Sequence, residues 1–288
     1  MGPRGENDSA CWFGLASSVV NGGTGNGLSP GCFAILKMNK RDLMKNIDNL
    51  NKLVSKAIAH YWLTRQRQSH KQSTSGRSDQ GARSAVTGGA QMDGFISLIT
   101  ELIVEAGADE SNIFHNTHLE LPGFFRPTKE WDLLLVKDGQ LILSLETKSQ
   151  VGPSFGNNFN NRTEEAMGNA LDLWTAYREG AYNKTIKPWL GYVFLLEDCP
   201  ESRKPVRVQE PHFKVFLEFV NASYGKRYEL FCRRLVRESH YNVAAFLMSD
   251  KKGGLKGLYT EPADDLTFEI FAKSLVAQVT AFGVSKKK

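Results

Sequence analysis

The chain has 288 residues, 41% of them hydrophobic, with a mean hydropathy of −0.34 and a formal net charge of +5. That is chain enough for one large domain or two modest ones, in the composition range of soluble globular proteins. No run of about 18 apolar residues is present, which excludes a membrane-spanning helix. The apolar stretch "CWFGLASSVV" (Cys11–Val20) has neither the positive flank nor the small-residue cleavage site of a secretory signal, so the expected compartment is the cytoplasm. Four cysteines, Cys11, Cys32, Cys199 and Cys232, form no C-x-x-C pair and no zinc-spaced Cys/His cluster, and read as free thiols.

Residues 1–37 hold eight glycines, little charge and no periodicity; they read as a disordered extension, with Met38 as a candidate natural start. Leu43, Ile47, Leu50, Val54, Ile58 and Trp62 then fall three or four apart and predict one or two amphipathic helices over residues 39–67. Gln68–Gln91 is polar and almost free of large apolar residues. It reads either as a flexible loop or as a segment ordered by a ligand, with Arg77 and Arg83 spaced by the Ser and Gly that suit approach to phosphates. A helix is predicted over Met92–Ala106, stopped by Gly107. Strands follow at Trp131–Val136 and Leu141–Thr147, joined at Asp138-Gly139. An Asn-rich loop, Gly152–Arg162, leads to a helix starting near Thr163 with Met167, Ala170, Leu171, Trp174 and Tyr177 on one face. Near-continuous apolar runs predict buried strands at Trp189–Glu197 and Tyr241–Ser249. Helices are predicted at His212–Val220, Tyr224–Glu238 and Asp264–Phe282, the last capped by Asp264. This order gives an α/β fold, a mixed central sheet flanked by helices.

Charge is concentrated in one place. From Arg203 to Arg237 there are nine Lys/Arg against three acids, Glu210, Glu218 and Glu229. Such a run reads equally as a solvated helical face or as a phosphate-binding surface, with Arg203, Lys204 and Arg207 at its start.

Three charges interrupt the two apolar strands of "EWDLLLVKDGQLILSLETKSQ" (Glu130–Gln150): Asp132, Glu146 and Lys148. Strand alternation puts Glu146 and Lys148 on one face. Two carboxylates and a lysine at a strand end can hold a hard divalent cation and orient water at a phosphodiester; a surface hairpin carrying a salt bridge is the plain alternative. Register decides whether Asp132 joins them. A two-residue Asp138-Gly139 loop pairs 132 with 145 and puts the two carboxylates on opposite sides, so a longer loop or a bulge is required. Glu101 and Glu105, four apart on the preceding helix, are candidates for a further metal-binding acid, or else solvated helix charges. Asn157, Asn158, Asn160 and Arg162 offer the groups that read adenine and guanine in the major groove, or simply shape a turn.

On "DQGARSAVTGGAQMDGF", "KEWDLLLVKDGQLILSLETKSQVGPSFGNNFNNRTEEAMG", "LDLWTAYREGAY" and "RKPVRVQEPHFKVF" the chain resembles the XhoI family of type II restriction endonucleases, within the PD-(D/E)XK superfamily, over roughly Ile58–Met248. Trp131 stands where the superfamily label has proline. The resemblance implies a restriction-endonuclease-like fold and Mg²⁺-dependent cleavage of double-stranded DNA within CTCGAG, as C/TCGAG; such a two-fold palindrome is matched most simply by a homodimer. It carries Asp132, Glu146 and Lys148 onto the active site and implies a cognate DNA methyltransferase as functional partner. Residues 38–288 then form one endonuclease domain, with a helical and polar DNA-facing part (38–90) and an α/β catalytic core (91–288). Two other readings fit the residues alone: a DNA-binding protein whose carboxylates are structural, and a repair nuclease of the same fold without sequence preference.

Overall fold

The structure, a computed structural model, describes residues 40–74, 89–183 and 187–282. Its main elements are α1 (Lys40–Thr74), α2 (Asp93–Glu105), three short strands β1 (Ile113–Phe114), β2 (Glu120–Pro122) and β3 (Thr128–Glu130), the hairpin β4 (Leu133–Lys137) and β5 (Gln140–Gln150), α3 (Phe155–Arg178), β6 (Trp189–Glu197), α4 (Tyr224–Arg237), β7 (Val243–Ser249) and α5 (Phe268–Ala281). Five strands form one mixed sheet in the order β1-β4-β5-β6-β7; β2 and β3 pair separately as a two-stranded ribbon. The first pairings, β1–β4 and β4–β5, are antiparallel, whereas β5–β6 and β6–β7 are parallel. Parallel neighbours need a crossover. Helix α3 carries the chain from β5 to β6, and α4 carries it from β6 to β7.

Two apolar cores sandwich the sheet. One joins Val54, Ile58 and Trp62 of α1, Phe95, Ile99 and Ile103 of α2, and Phe271 and Leu275 of α5 to Leu133, Leu145, Val193 and Leu247. The other joins Phe155, Ala170 and Leu173 of α3 and Tyr228, Phe231 and Leu235 of α4 to Leu134, Tyr192, Phe194 and Phe246. Strands β6 and β7 are covered on both faces, hence their unbroken apolar runs. Among the described residues no helix is long and apolar enough to cross a membrane.

Several boundaries differ from the sequence expectation. Helix α1 runs on to Thr74, past the predicted end near 67. Residues 212–220 form no α-helix and contain only a 3₁₀ turn at Leu217–Phe219. Phe213, Phe216 and Leu217 there are 88%, 74% and 86% exposed, so the apolar face that would support a helix has nothing to pack against. Helix α5 starts at Phe268, capped by Thr267 Oγ1 accepting from Ile270 N, not by Asp264. Cys199 and Cys232 are free thiols, as expected; Cys11 and Cys32 lie outside the described residues.

Candidate active site

The site is built on the β4–β5 hairpin. Its turn is the two-residue Asp138-Gly139, both with positive φ (51° and 70°), the twist that closes a tight hairpin. Lys137 pairs with Gln140 and Val136 with Leu141. The register then shifts at Leu135/Val136, where Leu135 pairs with Leu143 and Leu133 with Leu145. Ile142 and Leu143 both enter the same core, as a bulged pair does. A bulge, not a longer loop, thus supplies the shift that the sequence demanded.

Strand β4 begins at Leu133, so beyond Leu145 the β4 side of β5 loses its main-chain partner. Asp132 takes that place. Its backbone N–H donates to Leu145 O at 3.1 Å, and its Oδ2 accepts from Thr147 N at 2.6 Å and from Thr147 Oγ1 at 3.0 Å. The carboxylate is thereby fixed at the open edge of the strand that carries Glu146 and Lys148.

Glu146 is 1% exposed. Oε1 lies 3.0 Å from Lys148 Nζ and 3.7 Å from Lys129 Nζ, while Asn169 Nδ2 reaches Oε1 at 2.8 Å and Oε2 at 3.0 Å. Tyr241 Oη donates to Oε2 at 2.9 Å. Burial pushes the carboxyl up, but Lys148, Lys129 and the Asn169 amide together outweigh it and hold it at about 2. Lys148 is pulled down by burial and raised overall by Glu146 and then Asp132. Lys129 is lowered, chiefly by burial, and its ammonium sits 4.0 Å from the centre of the Trp131 ring. Lys148 therefore feels both carboxylates at once. Two carboxylates, one just before β4 and one on β5, suit a hard divalent cation, which takes one or two of them and fills its remaining positions with water and phosphate oxygen. No group of three or more His, Cys, Asp or Glu side chains able to hold a metal occurs among the described residues.

The other predicted site residues fall into four sets. Glu101 and Glu105 are exposed on α2, whose buried face packs in the core on the opposite side of the sheet from α3; no contact ties them to Glu146. Asn157, Asn158, Asn160 and Arg162 are not in a loop: α3 starts at Phe155, so they form its first two turns. Phe155 stacks on Tyr224 and Phe159 packs edge-on against Tyr228, and this burial overrides the weak helix propensity of the asparagines. Asn157 and Asn160 are exposed, Asn158 half-buried, and Arg162 pairs with Glu165 at 2.6 Å while acting on Lys148 through space. Arg203 is held by Asp198, with Nη2 2.6 Å from Oδ2. Lys204 and Arg207 line a cavity of about 470 Å³ with Phe155, Gly156, Asn157 and Tyr224 at the start of α3. Arg77 and Arg83 lie outside the described residues.

Sequence reading missed Lys129, Asn169 and Tyr241, the other three groups on Glu146. Asn169 left a signal, a polar residue on the core stripe of α3 between Ala166 and Ala170.

The model of the family described as "Restriction endonuclease XhoI" matches residues 71–261, well over half of the chain. The chain is 54% identical over 206 residues to the type II restriction enzyme BstVI of Geobacillus stearothermophilus, covering 70% of this chain and 92% of that protein. It is 44% identical over 188 residues to the type II restriction enzyme XhoI of Xanthomonas vasicola, covering 65% and 75%. To the type II restriction enzyme AbrI of Azospirillum brasilense it is 48% identical over 159 residues, covering 55% and 71%. No solved structure matches. The hairpin site falls inside the matched span, and the chain belongs to the XhoI family of type II restriction endonucleases.

Proposed function

We propose that this chain cuts both strands of DNA within CTCGAG, as C/TCGAG, with Mg²⁺ held by Asp132 and Glu146 on a restriction-endonuclease-like, PD-(D/E)XK framework. The observation that carries this reading is Lys148, which lies 3.0 Å from Glu146 and is acted on by Asp132 as well, at one strand end where Glu146 is kept ionised at 1% exposure. When bound, the metal supplies Lewis-acid polarisation of the scissile phosphate and a water of lowered pKa. The protein's part is positional. Asp132, anchored on Thr147, and Glu146, anchored on Asn169 and Tyr241, hold the metal ligands at the edge of β5. The Lys148 ammonium offers positive charge to the attacking oxygen and to the charge that develops on phosphorus-bound oxygens.

Lys204, Arg207 and Asn157 at the cavity before α3 suit a phosphate backbone passing near the site. A two-fold palindrome is matched most simply by a two-fold dimer in which each subunit cuts one strand. A cytoplasmic enzyme of this kind requires a cognate DNA methyltransferase to protect the host's own sites.

Digestion of a plasmid of known sequence tests the reading. With Mg²⁺, discrete bands whose ends map to C/TCGAG are expected. A smear would replace this reading by a nuclease without sequence preference, and binding without cutting by a DNA-binding protein with structural carboxylates.

A further inference from the structure

Glu146 is governed from outside its own motif. Its Oε2 faces inward to Tyr241 Oη at 2.9 Å, and its Oε1 faces Lys148 at 3.0 Å. The group that touches both oxygens is Asn169 Nδ2, on a side chain only 7% exposed. An amide can present either its nitrogen or its oxygen, and its two neighbours here decide which. An ionised Glu146 only accepts. On the other side stands Arg126, which only donates, with Nη2 2.5 Å from Asn169 Oδ1.

Arg126 is itself fixed. Its Nε donates to Asp172 Oδ2 at 2.7 Å, and Asp172 lies three residues from Asn169 on α3. The other oxygen of Asp172 accepts from Phe124 N and Phe125 N at 2.7 and 2.8 Å, which pins the turn that carries Arg126. Gly123 starts this turn, and a Cβ there would meet Asp172 Oδ2 at 2.4 Å. The fork geometry of a guanidinium is what lets one side chain bond a carboxylate and an amide together.

We infer that Arg126 and Asn169 form a positioning relay for Glu146. Arg126 fixes the amide orientation of Asn169, and Asn169 fixes the carboxylate so that Oε1 faces Lys148. Neither residue touches the reacting atoms. Without Arg126 the amide oxygen loses its partner, and Asn169 loses one of the two anchors that hold its nitrogen across the carboxylate oxygens. The inference rests on the proposed reading of Glu146 as a metal-holding group.

The test uses the full chain and two readouts: Mn²⁺ binding followed by electron paramagnetic resonance without DNA, and the single-turnover cleavage rate constant against Mg²⁺ concentration. Asn169→Ala and Arg126→Ala should each weaken Mn²⁺ binding or slow cleavage by about 10–100-fold, the usual effect of removing a group that orients a metal ligand. DNA binding in the absence of metal should stay unchanged. The double variant should be no worse than Asn169→Ala alone, because Arg126 acts through Asn169. Asn169→Asp keeps the shape and should lose as much as Asn169→Ala; full activity in it would reduce Asn169 to a space-filling role. Should Arg126→Ala fail to fold, Arg126→Lys keeps the charge beside Asp172 but not the fork, and the same losses are expected. Wild-type Mn²⁺ binding and rate in Asn169→Ala would overturn the relay, and equal factors for the Arg126 change with and without Asn169 would remove Arg126 from it. A wild-type protein that neither binds Mn²⁺ nor cuts DNA would instead contradict the proposed function itself.

Discussion

Taking a carboxylate out of water costs several kcal/mol unless charge and hydrogen bonds replace the lost hydration. Glu146 has those replacements in Lys148, Lys129, Asn169 and Tyr241, and its carboxyl is held at about 2. Because the folded-state value lies below the usual carboxylate range, the ionised group stabilises the fold above that range and the contribution is lost as pH falls through about 2. Urea unfolding of wild type and Glu146→Gln should therefore differ most above pH 5, by on the order of 3 kcal/mol, with the gap closing toward pH 2. A gap independent of pH would mean that the difference does not come from the ionisation of Glu146. At this scale Asp132, Glu146 and Lys148 were legible in the sequence because charges inside apolar strands need a reason. Lys129, Asn169 and Tyr241 were not, since they come together only through the ribbon before β4, the middle of α3 and the segment just before β7. No local pattern encodes that meeting.

Elements were legible where periodicity was strong and long. The buried runs of β6 and β7 and the amphipathic stripes of α2 and α4 were read within a residue or two. The start of α3 was not. Asparagine and glycine favour turns in isolation, yet Phe155 and Phe159 bury against α4 and draw the asparagines into the helix. That difference carries a prediction. Alanine at exposed Asn157 and Asn160 should each stabilise the fold by about 0.5 kcal/mol, seen as a slightly higher melting temperature, because a solvent-facing helical position favours alanine over asparagine. Lower stability would return these residues to a turn. If either side chain also reads a base, cleavage of one-base variants of the site will be re-ranked while stability rises. At the hairpin, Gly139 sits at φ 70° with only Asn183 Nδ2 near its missing Cβ, at 3.5 Å. Gly139→Ala should cost about 1–2 kcal/mol through backbone strain, measured by chemical denaturation. An unchanged midpoint would mean that the turn relaxes freely, and with it the register on which Asp132 depends.

For the whole molecule, the sequence showed an α/β fold with a basic stretch, but not how that stretch is used. The structure divides it. Arg203 pairs with Asp198, Lys226 with Glu229, and Arg233 with Glu229 and Asp265, whereas Lys204 and Arg207 open onto the cavity at α3. Ion pairing is a three-dimensional outcome, so counting charges along the chain overstated the surface left for DNA. Lys204→Ala should weaken binding to every DNA sequence alike and reduce the slope of log affinity against log salt by about one; an effect confined to one base pair would assign it to sequence reading. The central claim is that DNA cleavage runs through the carboxylate at the end of β5. The direct measurement is the single-turnover cleavage rate of a duplex bearing one CTCGAG site, with Mg²⁺ and saturating enzyme, for wild type and for Glu146→Gln. Wild type should cut both strands at C/TCGAG, and the variant should bind the duplex as tightly but cut it about a thousandfold more slowly or worse, the scale of losing one preorganised active-site charge. Cleavage by Glu146→Gln at the wild-type rate would contradict the account.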